Sequence, residues 1–243
     1  GLKCGGTDAT SGIAANPALG LAVDRIVEQG GTAFLSELAE LLGTEHIMKR
    51  RAATPEVYEQ ISAVLSHTED VLERMTKDYV RTSEQAALVT PGNFDGGVSS
   101  VSEKALGGIH KSGSCKFVGV VGYAEQPKGT GLYLMAAAGD DSDIATSLVA
   151  GGAQIIAFTT GRGTPTGFPG VPVLKITGNS KTYRNMEDDM DYNAGRVMDG
   201  EITLEQAGQE IYQEVLKIAG GKPTKAEVLG HDELFSIGRY DCF

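Results

Sequence analysis

Two glycine-rich loops combine backbone amides, hydroxyls and an arginine in the way that a small anion requires. Residues 158–167 read FTTGRGTPTG, and residues 1–12 read GLKCGGTDATSG. Glycines let backbone N–H groups point into a cleft, threonines add hydrogen bonds, and an arginine fork matches a carboxylate. The pattern predicts a site for a small polyhydroxy acid, and it suits a phosphate equally well. The candidate binding residues are Thr7, Asn93, Thr159, Thr160, Gly161, Arg162, Gly163 and Thr164.

The same loops have a plain structural explanation, which stays open at this point. Glycine after a strand is most often a turn, and residues 90–97, TPGNFDGG, read as a turn before a helix. Two nucleotide-binding motifs are absent from the sequence, because no GKS or GKT follows a glycine-rich loop and no GxGxxG follows the first strand.

Other side chains could bind a metal or move a proton. Cys4 could bind Fe²⁺ or act as a base, and the carboxylates of Glu37 and of residues 187–191, EDDMD, could bind a hard cation. The alternatives are a buried thiol, a helix cap and a solvated helix end. His46, Lys104 and Glu125 are the candidates for the general base, although most such side chains are simply solvated, and the sequence does not choose among them.

Composition excludes several classes of function. The net charge is −11 and Lys and Arg form no extended cluster, so a nucleic-acid partner is not expected. No apolar run approaches 18 residues, so no transmembrane helix is expected. Three distant cysteines, Cys4, Cys115 and Cys242, form no disulfide framework, which favours a reducing cytoplasm. The chain starts at Gly1 rather than Met, and we expect it to be part of a longer protein.

Apolar periodicity predicts helices that alternate with short strands. Strands are expected at the first residues, GLKC, and at residues 32–36, 116–121, 132–137, 154–158 and 172–177. Helices are expected from Asn16, as an N-cap, to residue 29, and over residues 37–51, 54–79, 99–111, 143–149 and 203–219, with a short one near Lys181 and a loop over residues 81–97. The pattern predicts an α/β fold with a mostly parallel, Rossmann-like sheet flanked by helices and a helical insertion around residues 37–80.

Seven motifs occur in one order: GLKCGGTDATSGIAANPALG, SELAELLGTEH, RRA, TPGNFDGG, EKALG, FTTGRGTPTG and MDYNAG. Together they resemble the altronate/galactarate dehydratase family, which also contains the large subunit of (2R)-sulfolactate sulfo-lyase. The resemblance runs from Gly1 to at least Gly195, and the tail, GHDELFSIGRYDCF, departs from it.

The resemblance implies a metal-dependent hydro-lyase of sugar acid catabolism, acting on an acid such as altronate or galactarate. Such an enzyme removes the proton next to the carboxylate and expels the β-hydroxyl, giving a 2-keto-3-deoxy acid. Fe²⁺ is the expected metal, with Mn²⁺ as the alternative. The metal candidates are Cys4, Asp8, Glu37, Asp188 and Asp191. Residues 1–243 would form one catalytic domain, the carboxy-terminal part of a longer protein, with a small N-terminal domain or subunit or a second copy of the chain as partner.

Two other functions stay open. The sulfo-lyase branch of the family releases sulfite from sulfolactate instead of water from a sugar acid. Alternatively, the chain by itself is a stable core that binds an anion but lacks residues that a missing segment or a partner subunit supplies.

Overall fold

The computed structural model of the chain describes residues 1–79, 88–137 and 140–236. Its strands form a seven-stranded sheet in which every pair of neighbours is parallel. They are β1 Leu2–Cys4, β2 Thr32–Leu35, β3 Phe117–Val121, β4 Gly131–Met135, β5 Ile156–Thr160, β6 Val173–Thr177 and β7 Tyr192–Asn193. The order is β3-β4-β2-β1-β5-β6-β7. The parallel α/β sheet is confirmed, and the two-residue strand β7 is an addition to it.

The helices are α1 Asn16–Glu28, α2 Glu45–Arg51, α3 Pro55–Tyr79, α4 Pro91–Asp95, α5 Val101–Ile109, α6 Asp141–Ala150, α7 Ser180–Asn185, α8 Leu204–Ala219 and α9 Lys225–Leu229. Helices α1 and α8 pack against each other, and α6 packs on β1 and β5. The helical insertion between β2 and β3 is present, and its longest member is α3. None of the helices in the described part of the chain combines the length and the apolar character that crossing a membrane would need.

The sheet is covered on both faces, which explains its short apolar strands. Ala33 and Leu35 pack in the same cluster as α1 and α3, whereas Phe34, between them, packs with Leu148 of α6. Strands β5 and β6 are buried along their whole length. Buried parallel strands read as continuous apolar runs rather than as an alternation, as the sequence indicated.

Three of the local predictions are wrong. No helix runs from residue 37 to residue 51, because Glu37 adopts a left-handed backbone (φ 66°) and is followed by a short 3₁₀ turn before α2. Asn16 does not cap α1, because helical turns already begin at Ser11 and the buried Asn16 side chain instead donates to the Gly107 carbonyl. The loop predicted over residues 81–97 contains helix α4, and its residues 81–87 lie outside the described residues.

The order in which successive strands are added to the sheet reverses between β1 and β5. From β1 the chain proceeds to β2 on one side, and from β5 it proceeds to β6 on the other. In open parallel sheets this reversal leaves a crevice at the carboxyl ends of the two strands, where ligands bind. The glycine-rich loops that follow β1 and β5 both start at this point.

Candidate functional site

A cavity of about 760 Å³ lies where the topology predicts a crevice. Lys3 and Cys4 of β1 line it, together with Glu37 after β2 and Arg162 after β5. Helix α5 contributes Lys104. The cavity therefore draws its charged side chains from segments that are far apart in sequence.

Lys3, Glu37 and Lys111 form a buried group of charged side chains, which we call the floor of the cavity. Lys3 and Glu37 line the cavity, and Lys111 pairs with Glu37 without lining it. Lys3 Nζ donates to Glu37 Oε1 at 2.5 Å, and Lys111 Nζ donates to Glu37 Oε2. The side chains of Lys3, Glu37 and Lys111 are 3%, 1% and 0% exposed. The left-handed backbone of Glu37 also lets its carboxylate accept from the Cys4 N–H at 3.1 Å. Such a group is stable only while each charge keeps its partners.

Mutual pairing holds all three groups in their charged forms. Burial alone would raise the pKa of Glu37, but the ammonium groups of Lys111 and Lys3 lower that pKa to about 2. Burial alone would lower the pKa of Lys3, but Glu37 and Asp141 raise it well above its ordinary value. The pKa of Lys111 is likewise raised, because nearby negative groups outweigh its burial. The floor thus presents two ammonium groups around one carboxylate.

The Cys4 thiol lies beside this group. Its Sγ accepts from Lys111 Nζ at 3.2 Å and is 3.7 Å from Glu40 Oε2. Burial and then the negative charge of Glu37 raise the pKa of Cys4 to about 12. The sulfur is therefore a thiol at neutral pH, and it becomes a thiolate only if a cation replaces its proton.

Two further ion pairs stand closer to solvent. Lys104 Nζ lies 2.9 Å from Glu40 Oε1 and also donates to the Leu88 carbonyl at 2.8 Å. Lys3 Nζ lies 2.9 Å from Asp141 Oδ1. The carboxylates of these pairs, Glu40 and Asp141, are 25% and 43% exposed. A ligand can reach both of these carboxylates.

Arg162 reaches the cavity from the loop after β5. Its Nη1 donates to the Gly92 carbonyl at 2.7 Å, and among the described residues no carboxylate pairs with it. The loop lies close to the first glycine-rich loop, since Gly161 N and Arg162 N both donate to the Gly6 carbonyl. Gly6 itself has a φ of 56°, which glycine adopts without strain. Arg162 is thus an exposed cation on a loop that lies against Gly6.

The structure brings several of the predicted residues to one cavity, and their functional roles stay predictions. The cavity is lined by Cys4, Thr7, Glu37, Asn93, Lys104, Arg162 and Gly163. The Thr159 hydroxyl instead donates to Asn16 Oδ1, the Thr160 hydroxyl accepts from the Gly163 N–H, and the Thr164 hydroxyl bonds that of Thr166. Those three hydroxyls are engaged within the protein and shape the loop.

Asp8 holds loops together. Its Oδ1 accepts from Thr10 Oγ1 at 2.6 Å and from the Ser11 N–H at 3.0 Å. A Cβ at Gly161 would lie 1.9 Å from Asp8, so glycine at that position lets the carboxylate fit against the loop after β5. Asp8 and Gly161 therefore join the two glycine-rich loops, outside the residues that line the cavity.

The remaining predicted residues lie elsewhere in the described part of the chain. His46 and Glu125 are exposed, and Glu125 accepts from the Gly122 N–H. Asp188 is exposed, whereas Asp191 accepts from the backbone N–H groups of Lys175 and Lys225. The cavity lining includes none of these four predicted residues.

Sequence reasoning missed five charged residues of the site. They are Lys3, Glu40, Lys111, Asp140 and Asp141. The sequence did contain a signal for Lys3, because a lysine inside a short apolar strand needs a buried partner. Lys111 gave none, since it ends a helical stretch where lysines are common, and only the fold turns its ammonium group inward.

Cys4, Glu37 and Glu40 could together hold a metal ion. One ligand atom from each lies within 4.8 Å of the others. A thiolate with two carboxylates suits Fe²⁺, and the carboxylates also suit Mn²⁺. Binding would release the Cys4 proton, and the carboxylate of Glu37 would have to share its charge with the cation as well as with the lysines. With that proton released, the donor set fits a divalent cation.

Comparison with known proteins agrees with the motifs. The family described as D-galactarate/Altronate dehydratase, C-terminal, matches residues 1–241. The chain is 36% identical over 240 residues to the (2R)-sulfolactate sulfo-lyase subunit beta of Chromohalobacter salexigens, covering 98% of this chain and 61% of that protein. It is 38% identical over 222 residues to the galactarate dehydratase (L-threo-forming) of Escherichia coli, covering 91% and 41%.

A third relative is an altronate dehydratase of Bacillus subtilis, which is 36% identical over 236 residues, or 96% of this chain and 46% of that protein. The chain thus spans between 41% and 61% of the length of these relatives. Since the family match extends over nearly all of its residues, the chain belongs to the D-galactarate/altronate dehydratase family and corresponds to the C-terminal region of that family.

Proposed function

We propose that this chain carries the catalytic portion of a metal-dependent lyase that removes water from a sugar acid to give a 2-keto-3-deoxy acid. The observation that supports this most strongly is the cavity itself. It combines an arginine without an acidic partner among the described residues, lysines on its floor and side, and a thiol–carboxylate set that could hold a metal. Each of these features can serve the reaction.

Proton removal next to a carboxylate creates negative charge that the site must stabilise. A divalent cation held by Cys4, Glu37 and Glu40 would supply a Lewis acid for that charge. The charged side chains around the cavity favour a bound cation when an acid substrate is present. The positive side chains of the cavity and its floor match the carboxylates in number: Lys3, Lys104, Lys111 and Arg162 against Glu37, Glu40, Asp140 and Asp141. An acid substrate therefore brings uncompensated negative charge, which a cation would balance.

The side chains around the cavity have separate tasks in this proposal. Arg162 binds a carboxylate of the substrate, and Thr7 and the backbone of Gly5 and Gly6 orient it. Lys104, which Glu40 holds at 2.9 Å, donates a proton to the departing hydroxyl. The proton acceptor is Glu40 or Asp141, the two partly exposed cavity carboxylates that pair with a lysine.

Release of sulfite from sulfolactate is the second candidate. It is favoured by the match to a sulfo-lyase subunit beta over 98% of this chain. That name also supports a partner subunit, and the greater length of the relatives supports a further domain. The free thiols of Cys4 and Cys115 support a reducing, cytoplasmic location.

The test is an anaerobic assay of the chain, alone and within the intact protein, with Fe²⁺ or Mn²⁺ and with galactarate, altronate or sulfolactate. The dehydratase predicts 2-keto acid without sulfite, and the sulfo-lyase predicts sulfite. Product from the intact protein alone would show that the chain is an anion-binding core that needs further residues. If neither form gives product with metal bound, the proposal fails.

The metal part of the proposal is tested separately through Cys4. Cys4→Ser should lower the iron bound per chain, because a serine hydroxyl is a much poorer ligand than a thiolate. Cys115→Ser is the matched control, since Cys115 lies outside the group of candidate ligands. Equal iron content in the two variants, measured by metal analysis after anaerobic loading and desalting, would remove Cys4 from the ligand set.

A further inference from the structure

The ammonium group of Lys3 has three acceptors in the structure. It donates to Glu37 Oε1 at 2.5 Å and to the Cys4 carbonyl at 2.7 Å, and it lies 2.9 Å from Asp141 Oδ1. An ammonium group has three protons to donate, so these partners satisfy it completely. Any anion that binds Lys3 must therefore replace one of them.

Only Asp141 can be replaced from the solvent side. Its side chain is 43% exposed, whereas the side chain of Glu37 is 1% exposed and Cys4 is buried. Lys3 and Lys111 with Glu37 leave one positive charge on the floor of the cavity, and the carboxylate of Asp141 balances it. A carboxylate from a ligand would balance it equally well.

The Asp141 carboxylate can also move away from Lys3 without removing the cap of helix α6. The N-cap of α6 is Asp140, whose Oδ1 accepts from the N–H groups of Ser142 and Asp143. Among the described residues, the carboxylate of Asp141 pairs only with Lys3. Once released, it can be solvated at the mouth of the cavity.

We infer that Lys3 is a carboxylate subsite that Asp141 occupies in the free protein and that a carboxylate of the acid substrate takes over on binding. Asp141 is thus an internal competitor that sets the affinity and the selectivity of the cavity for acids. Asp141 and Arg162 both lie close to the Gly5–Gly6 backbone, since a Cβ at Gly5 would lie 3.0 Å from Asp141 and one at Gly6 would lie 3.5 Å from the Arg162 Cβ. The inference relies on the proposed function for the kind of ligand that enters.

The test measures equilibrium binding of galactarate to the 243-residue chain by calorimetry. Asp141→Asn should tighten binding about fivefold, because a neutral amide competes for Lys3 less well than a carboxylate does. Asp140→Asn is the matched control. It removes the same charge one residue away and keeps the helix cap, since asparagine caps as well as aspartate. It should change the affinity less than about twofold.

A double variant separates competition for Lys3 from other causes. In a Lys3→Met background, Asp141→Asn should no longer tighten binding, because the two residues act through one ion pair. Equal tightening by Asp140→Asn and Asp141→Asn would show a general charge effect and overturn the inference. Weaker or unchanged binding by Asp141→Asn, or no binding of galactarate to the wild-type chain, would also overturn it. Comparison of Asp141→Asn with Asp140→Asn remains decisive if Lys3→Met does not fold.

Binding and turnover test the two proposals separately. If galactarate binds and Asp141→Asn tightens that binding, but neither the wild-type chain nor the intact wild-type protein forms keto acid with metal bound, the subsite stands while the lyase proposal fails. If keto acid forms but Asp141→Asn leaves the affinity unchanged, the lyase proposal stands and the subsite is wrong.

Discussion

Glu37 and Asp191, in the acidic segment 187–191, were both predicted to bind a metal, but their surroundings in the structure differ. Glu37 is buried against the side-chain ammonium groups of Lys3 and Lys111 and faces a cavity. Asp191, in contrast, accepts from the backbone N–H groups of Lys175 and Lys225. Glu37 thus belongs to a cluster of charged side chains next to a cavity, whereas Asp191 connects two backbone segments by hydrogen bonds.

The pKa values of the two carboxyls move in opposite directions, because the balance between burial and partners differs. The lysines outweigh burial at Glu37 and lower its pKa, whereas burial outweighs the backbone hydrogen bonds at Asp191 and raises its pKa. Glu37 is therefore held ionised among other charges, at a site suited to chemistry. Asp191 is a structural acceptor that would be more easily protonated.

Removing the charge of Glu37 should have the largest effect. Glu37→Gln leaves two buried ammonium groups with one carboxylate fewer, and breaking such a buried pair costs about 3–5 kcal/mol. The free energy of unfolding, measured in urea at neutral pH, should fall by that amount. Glu40→Gln is the control, because Glu40 is 25% exposed and its pair with Lys104 contributes much less. Similar losses of unfolding free energy in Glu37→Gln and Glu40→Gln would contradict the strong mutual stabilisation of Lys3, Glu37 and Lys111.

Acid should affect the two regions in opposite directions. The pKa of Glu37 is lowered from its ordinary value of 4.5 to about 2, so its stabilising contribution is present above pH 4.5 and is lost as the pH falls towards 2. The pKa of Asp191 is raised, so its protonation favours the folded state as the pH falls. The stability advantage of wild type should shrink on acidification relative to Glu37→Gln and grow relative to Asp191→Asn. Parallel pH profiles would contradict this.

Arg162 should matter for binding rather than for stability. Arg162→Ala removes a charge-assisted contact to a substrate carboxylate and should raise the dissociation constant for the acid at least about tenfold. The melting temperature should stay unchanged, because the side chain is exposed and, among the described residues, hydrogen-bonds only to the Gly92 carbonyl. Arg184→Ala, which removes an exposed arginine outside the cavity, is the matched control. Equal affinities of wild type and Arg162→Ala for the acid would exclude Arg162 as a substrate-binding residue.

Asp191→Asn should have the smallest effect. The amide keeps one acceptor oxygen for the backbone N–H groups, so the free energy of unfolding should fall by only about 1 kcal/mol. Turnover should persist, because Asp191 is absent from the cavity lining in the described residues. A loss of turnover without unfolding would make the acidic region part of the site and erase the contrast with Glu37.

The sequence predicted the parallel sheet, the loops at its carboxyl edge and part of the cavity lining. Strand-ending glycines and buried apolar runs are local signals, so Cys4 and Arg162 could be assigned to one edge. The left-handed backbone of Glu37 was not readable, because a non-glycine residue adopts it only when tertiary contacts stabilise it. Lys111 was not readable either, since its partners, Cys4 and Glu37, are distant in sequence. Pairings of that kind are created by the fold.

The most direct test of the central claim is a crystal structure of the chain soaked with galactarate and Mn²⁺, read for where the acid binds. The account predicts density for the acid over Gly5 and Gly6, with a carboxylate within hydrogen-bond distance of Arg162, and metal density between Cys4 and Glu40. An acid or a metal found instead beside residues 187–191, with the cavity empty, would contradict it.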